Sequence, residues 1–175
     1  MLGAGGVWLV GLASPALAGA PGGAVEIRMR SDELGAHVAF EPVGLLIQPG
    51  QTVRWINAGN NVHTTTAYHP DNNDHPLRIP ETARPWDSGY LIHPGDRFEV
   101  TLTVEGVYDY FCAPHEIAGM VGRIIVGRPA GPGALPFDYF RGDPAKQHWR
   151  SVPPLAQRTL PAIDRIMAGG VVPRA

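Results

Sequence analysis

The stretch Tyr108-Asp109-Tyr110-Phe111-Cys112-Ala113-Pro114-His115-Glu116-Ile117-Ala118-Gly119-Met120-Val121-Gly122 reads as a strand, a short loop and a second strand. Tyr108, Tyr110 and Cys112 share one alternation parity and Asp109 and Phe111 the other, so Cys112 points inward beside the two tyrosines. Pro114 stiffens the turn, Gly119 permits tight backbone, and an apolar run from Val121 to Val126 follows. Cys112, His115 and Met120 thus put a thiolate, an imidazole and a thioether on one loop of nine residues.

Working outward, short strand patterns surround this loop. Val25, Ile27 and Met29 alternate with charged residues, and Phe98, Val100, Leu102 and Val104 alternate with Arg97, Glu99, Thr101 and Thr103. Leu45 to Ile47 lead into the turn Pro49-Gly50, and Val53 and Trp55 alternate after it, which predicts a hairpin. Many short strands with frequent turns predict an all-β sandwich. Between Asn57 and His93 no period lasts, so this reads as a long loop region, of a length that often carries function. Pro-Ala-Gly-Pro-Gly-Ala-Leu-Pro, Pro129 to Pro136, sustains neither helix nor central strand and marks a boundary. Beyond it, Leu155, Thr159, Ala162, Ile163 and Ile166 make a helical stripe ended by Gly169-Gly170, with Pro161 kinking it or starting a second helix.

Composition narrows the function. The 175 residues include 22 Gly and 18 Pro, a share that favours turns over long helices. Net charge is −2, with Lys146 the single Lys, so no global field for nucleic acid exists. Residues 21–130 carry 8 basic and 13 acidic groups and residues 131–175 carry 6 and 3, so a basic tail can dock on an acidic body. Residues 1–20 read as a signal peptide: Val7 to Ala13 are apolar, and Ala16-Leu17-Ala18 and Ala18-Gly19-Ala20 offer cleavage patterns. The leader lacks the usual positive charge, since no Lys or Arg precedes Arg28. The apolar run is too short to span a bilayer, so no stable membrane insertion is expected after its removal. The expected organisation is signal peptide 1–20, metal-binding domain 21–130, and Pro/Gly-rich linker with helical tail 131–175. The expected location is the periplasm.

A single cysteine excludes a disulfide scaffold and a Cys-rich zinc module. Alone it reads as a small buried residue; beside His115 and Met120 it reads as a ligand. One more ligand is needed. His63, just past the strand containing Trp55, is the best placed, with His69, His75 and His93 as nearby loop histidines. Met120 either packs in the core or serves as an axial donor. His69, Asp71, Asp74 and His75 look like a second metal site but are better read as a solvated polar loop. Two imidazoles and a thiolate with a weak thioether suit one-electron copper, because the set compromises between Cu(I) and Cu(II), with zinc as a competing ion.

Phe40-Glu-Pro, Ile47-Gln-Pro-Gly-Gln-Thr-Val-Arg-Trp55-x-Asn57, His63-Thr, and Tyr108-Asp-Tyr-Phe-Cys112-x-Pro-His115-x-x-x-Gly119-Met120-Val-Gly122-x-Ile124 together resemble the cupredoxins. The loop spacing is similar to that of plastocyanins and pseudoazurins. The resemblance covers roughly residues 25 to 128. It implies a Greek-key β-sandwich, here with a C-terminal helical extension, and type 1 (blue) copper held by His63, Cys112, His115 and Met120. It also departs from the family at Thr64, where an Asn usually helps tether the cysteine loop, so the hydrogen bonding around the thiolate is expected to differ.

The resemblance implies a monomeric one-electron carrier between a redox donor and a redox acceptor, not an enzyme. His115 is the expected port, Pro114 and Met120 part of the contact patch, and Phe111 a second route outward. Acidic groups on the body would steer a basic partner, with rates falling as salt rises. The alternative is a periplasmic copper-handling protein without redox turnover. A multicopper oxidase or copper nitrite reductase needs more copper ligands than this chain offers: Phe111 and Ala113 flank Cys112, and no His-x-His pair is present. A Cys-His hydrolase lacks an orienting group.

Overall fold

A computed structural model describes residues 23–174. The expected signal peptide therefore lies outside the described residues. Within them the strands are β1 (Val25–Arg30), β2 (Ala39–Glu41), β3 (Gly44–Ile47), β4 (Gln51–Asn57), β5 (Thr66–Ala67), β6 (Arg97–Leu102), β7 (Gly106–Phe111), β8 (Val121–Val126) and β9 (Val171–Val172). They form two facing sheets, ordered β2-β1-β4-β6 and β5-β7-β8-β3-β9. This is a Greek-key sandwich with a helical extension, α1 (Pro154–Thr159) and α2 (Ile163–Gly169).

The expected hairpin at Pro49-Gly50 does not form. β3 pairs parallel with β8 in one sheet, whereas β4 pairs parallel with β1 and antiparallel with β6 in the other. The turn passes the chain between sheets, and the Gly50 N–H donates to Leu102 O at 2.7 Å. Alternation told which residues face inward but not which sheet would take each strand.

Between the sheets lies an aromatic core. Tyr110 meets Phe40 at 4.7 Å between ring centroids and Trp55 at 5.3 Å, both edge-on. Cross-strand from Tyr110 stands Gly122, where any Cβ would collide with the Tyr110 hydroxyl. Glycine leaves the gap that the ring fills.

The outer face of the second sheet is covered too. Val107, Asp109 and Phe111 of β7 and Val121, Arg123 and Ile125 of β8 are buried. Phe111 and Val121 pack with Val152, Ala156 and Leu160; Val107 and Ile125 pack with Ile166 and Val172. The expected stripe is thus two short helices separated at Pro161, presenting Ala156 and Ile166 inward, while Leu155 is 42% exposed. β9 then pairs antiparallel with β3. The tail docks by apolar burial and by body arginines reaching its carbonyls: Arg78 Nη2 donates to Gly133 O at 2.7 Å and Arg123 Nη1 to Pro161 O at 2.9 Å. Both arginines share Asp109, Arg78 Nε at 2.7 Å and Arg123 Nε at 2.7 Å. Among the described residues no ion pair joins a basic side chain of the tail to the acidic body.

The region read as a long loop is largely packed. It contains β5, and Thr64, Thr65, His75, Arg78 and Ile79 within it are buried. Among the described residues no helix is long and apolar enough to cross a membrane.

Candidate metal centre

Cys112 directly follows β7 on its inward parity, as the alternation predicts, and sits in the aromatic core cluster. The backbone then makes a single 3₁₀ turn, Ala113–His115, in which the His115 N–H donates to Cys112 O at 2.9 Å. Met120 closes the loop: its N–H donates to His115 O at 3.1 Å, and its carbonyl accepts from the Cys112 N–H at 3.0 Å. Gly119, at φ +80°, makes the reversal, and α1 approaches it so closely that a Cβ would press on Thr159 and Leu155.

His63 arrives from the other side. A two-way bridge to Leu91, at 3.1 and 2.8 Å, fixes its backbone. Asn57, buried at the end of β4, donates through Nδ2 to Asn61 O at 2.9 Å and to Leu91 O at 3.0 Å, bracing both segments. Rigid main chain on both sides gives the ligand atoms their positions before any ion arrives.

The geometry brings the expected residues together. His63 Nδ1 lies 3.7 Å and His115 Nδ1 3.3 Å from Cys112 Sγ. The three ligand atoms fall within 4.8 Å of one another, a separation that one ion can bridge. Met120 is fully buried in the same core cluster as Cys112. His63 is also fully buried, whereas His115 is partly exposed, with Nε2 3.4 Å from Asn61 Nδ2.

Electrostatics fits a cation. Burial, helped by the neighbouring His115, lowers the His63 pKa to about 4, and burial lowers that of His115. Both rings are then neutral at pH 7 with lone pairs free to ligate. Burial raises the Cys112 thiol to about 11, outweighing the Thr64 and His115 N–H groups that favour the thiolate. A bound cation supplies the compensating charge and displaces the thiol proton. The donor set, two neutral nitrogens and a thiol beside a buried thioether, fits copper.

Thr64 keeps the tether despite replacing Asn. Its N–H donates to Cys112 Sγ at 3.3 Å, and its Oγ1 accepts from the Ala113 N–H at 2.8 Å. The contact patch is smaller than expected. Met120 is not part of an exposed patch, because it is 0% exposed and packed inside. Phe111 does not itself reach the surface, because Tyr68, His75 and the tail cover it to 2% exposure. Exposed apolar groups at this end are Pro114 and Ile117, with Leu34 beside the Gly35 carbonyl that accepts from Asn61.

One cluster went unread in the sequence. His75 is buried, not solvated: its Nδ1–H donates to Asn72 O at 2.6 Å and its Nε2 faces Glu116 Oε2 at 3.2 Å. The Tyr68 hydroxyl donates to Glu116 Oε1 at 2.8 Å, anchoring the residue that follows His115. His69 pairs instead with Asp71 at 3.5 Å on the surface, and no described metal-capable cluster includes either histidine. Glu116 gave no sequence signal because its partners lie 48 and 41 residues away in an aperiodic segment.

Comparison with known proteins agrees with this picture. The chain is 37% identical over 117 residues to a chloroplastic plastocyanin of Chlamydomonas reinhardtii, covering 67% of this chain and 77% of that one. It is 32% identical over 105 residues to a chloroplastic plastocyanin of Oryza sativa subsp. indica, covering 60% of this chain but only 66%, just under two thirds, of that relative. Among solved structures, a pseudoazurin from Sinorhizobium meliloti matches with 34% identity and a TM-score of 0.47, over 61% of this chain and 75% of that one. The family model for copper binding proteins of the plastocyanin/azurin family matches residues 25–127, from β1 through β8 and across the whole ligand loop. The chain therefore belongs to the plastocyanin/azurin family of copper binding proteins.

Proposed function

We propose that this protein is a one-electron carrier whose copper is held by His63, Cys112, His115 and Met120. Copper bound there supplies a Cu(II)/Cu(I) couple. The observation that carries the reading is the convergence of two imidazole Nδ1 atoms on one buried Sγ within 4.8 Å. The chain's own contribution is rigidity. The Cys112–Met120 backbone bonds, the His63–Leu91 bridge and the Asn57 brace hold the donors in one arrangement, so little has to move when charge changes. His115 alone of the three clustered donors reaches the surface, and its ring edge is the port for the electron. Pro114 and Ile117 beside it exclude water from a contact of the small, transient kind.

The donor and acceptor are redox proteins that dock on this end, and the carrier works as a monomer. The leader-like composition of residues 1–20 supports export to the periplasm; the copper domain is assigned to residues 21–130 and the extension to residues 131–175, whose described part packs on that domain. No bond of a substrate is made or broken. The buried thiol and its closed loop suit retention of the ion better than delivery, which favours carrying electrons over handling copper.

The test is to add Cu(II) to the reduced metal-free protein and record visible absorption and electron paramagnetic resonance. An intense thiolate-to-copper band with narrow hyperfine splitting, reversible on reduction and lost in Cys112→Ser, is expected. A colourless Cu(II) complex would sink the reading.

A further inference from the structure

Thr64, Thr66 and Asp87 form a chain of hydrogen bonds whose direction is fixed by proton counting. Thr66 Oγ1 donates to Asp87 Oδ1 at 3.1 Å, and a carboxylate can only accept. The single hydroxyl proton of Thr66 is thereby used. In the 3.0 Å contact between Thr64 Oγ1 and Thr66 Oγ1, Thr66 must accept and Thr64 must donate. That leaves a Thr64 lone pair for the Ala113 N–H at 2.8 Å. Each hydroxyl then accepts once and donates once, and the order runs from Ala113 through Thr64 and Thr66 to Asp87.

The surroundings hold this chain in place. Thr64 and Thr66 are 3% and 2% exposed. Thr66 pairs with Phe111 across β5 and β7, and on its other side bridges to Asp87. Asp87 Oδ1 also accepts from the Gly89 N–H at 3.0 Å, and the Thr65 N–H donates to Ser88 Oγ at 2.9 Å, so the segment carrying Asp87 is pinned beside β5. Thr64 grips Cys112 twice, through its own N–H to Sγ at 3.3 Å and through its Oγ1 to the next peptide.

We propose that Thr66 and Asp87 are positioning residues for the copper thiolate, acting through Thr64 by this one-way relay. The inference rests on the copper reading above. The carboxylate polarises both hydroxyls in series, which strengthens the Thr64 grip on Ala113. Its negative charge, delivered along the relay, favours the more positive Cu(II) over Cu(I). Sequence gives no hint of it, because Asp87 lies in an aperiodic stretch 23 residues from Thr64.

Three variants test the relay. Thr66→Val keeps shape and removes the hydroxyl, Thr66→Ser restores it, and Asp87→Asn removes only the charge on an exposed side chain. In the metal-free protein, hydrogen exchange at the Ala113 amide should quicken about fivefold in Thr66→Val, the worth of an ordinary hydrogen bond, and return to wild type in Thr66→Ser. In the copper-loaded protein, both Thr66→Val and Asp87→Asn should shift the Cu(II)/Cu(I) equilibrium toward the reduced ion, with Asp87→Asn leaving the visible band in place. If the wild-type band is present but neither Ala113 exchange in Thr66→Val nor the potential of either variant moves beyond about twofold, below the worth of an ordinary hydrogen bond, the relay is overturned alone. Absence of the band in the wild type overturns the copper reading and this role with it.

Discussion

Cys112 enters the folded chain as a protonated thiol, since burial lifts it to about 11, and it must leave its proton behind to bind a metal. The two imidazoles are already neutral at pH 7, His63 being pushed down to about 4. Copper loading near pH 7 should therefore release about one proton per ion, all of it from the thiol. Calorimetric titration in two buffers of different ionisation enthalpy counts that proton, and a count near zero would remove Cys112 from the ligand set. A second residue-scale consequence concerns Gly122. Replacing it by Ala forces a methyl group onto the Tyr110 hydroxyl in a closed core, and should cost about 1–3 kcal/mol in urea unfolding. At this scale the sequence was most legible where the chemistry was local. Cys112, His115 and Met120 lie on one loop, and a strand's parity suffices to aim the thiol. His63 could be chosen only by its place after Trp55, and the Asn57 brace and the Thr66–Asp87 pairing needed contacts between segments that share no pattern.

At the scale of elements, the Arg78–Asp109–Arg123 cluster decides how the extension is held. Asp109 is 0% exposed and faces both guanidiniums, whose remaining donors reach Gly133, Leu135 and Pro161. Asp109→Ala would leave two buried cations unpaired and should destabilise the fold by about 3–5 kcal/mol, the range seen when one partner of a buried pair is removed. Exposed Glu105→Ala, which breaks the surface pair with Arg128, is the matching control and should change little. Chemical denaturation of both variants makes the comparison, and equal losses would contradict it. Period-two alternation found β1, β4 and β6 because each has one face against the core, and it aimed Cys112 beyond β7 through the parity of Tyr108 and Tyr110 although both faces of β7 are covered. It failed for β5 and β9, which are two residues long, and for the turn between β3 and β4, where the inward faces are identical whichever sheet a strand joins. The segment after Asn57 looked solvated because it is polar, yet its polar groups are paired inside: Thr65 with Trp86, Arg78 with Asp109, His75 with Glu116.

For the molecule as a whole, the sandwich and the helical extension were readable. What could not be read was that the extension and the segment after β5 together bury the flank of β7. Phe111 adjoins Cys112 directly but ends beneath Tyr68, His75, Val152 and Ala156. With that flank covered, a carrier working as proposed above is a cul-de-sac, its charge entering and departing by one doorway, at His115. On that reading two partners share a single doorway, and turnover is expected to proceed by successive visits rather than through a three-body assembly. A redox-inert mimic of the electron donor should then inhibit electron delivery to the acceptor competitively, raising the apparent KM for the acceptor and leaving the maximal rate untouched. Mixed or uncompetitive inhibition in steady-state kinetics would mean that a second doorway exists.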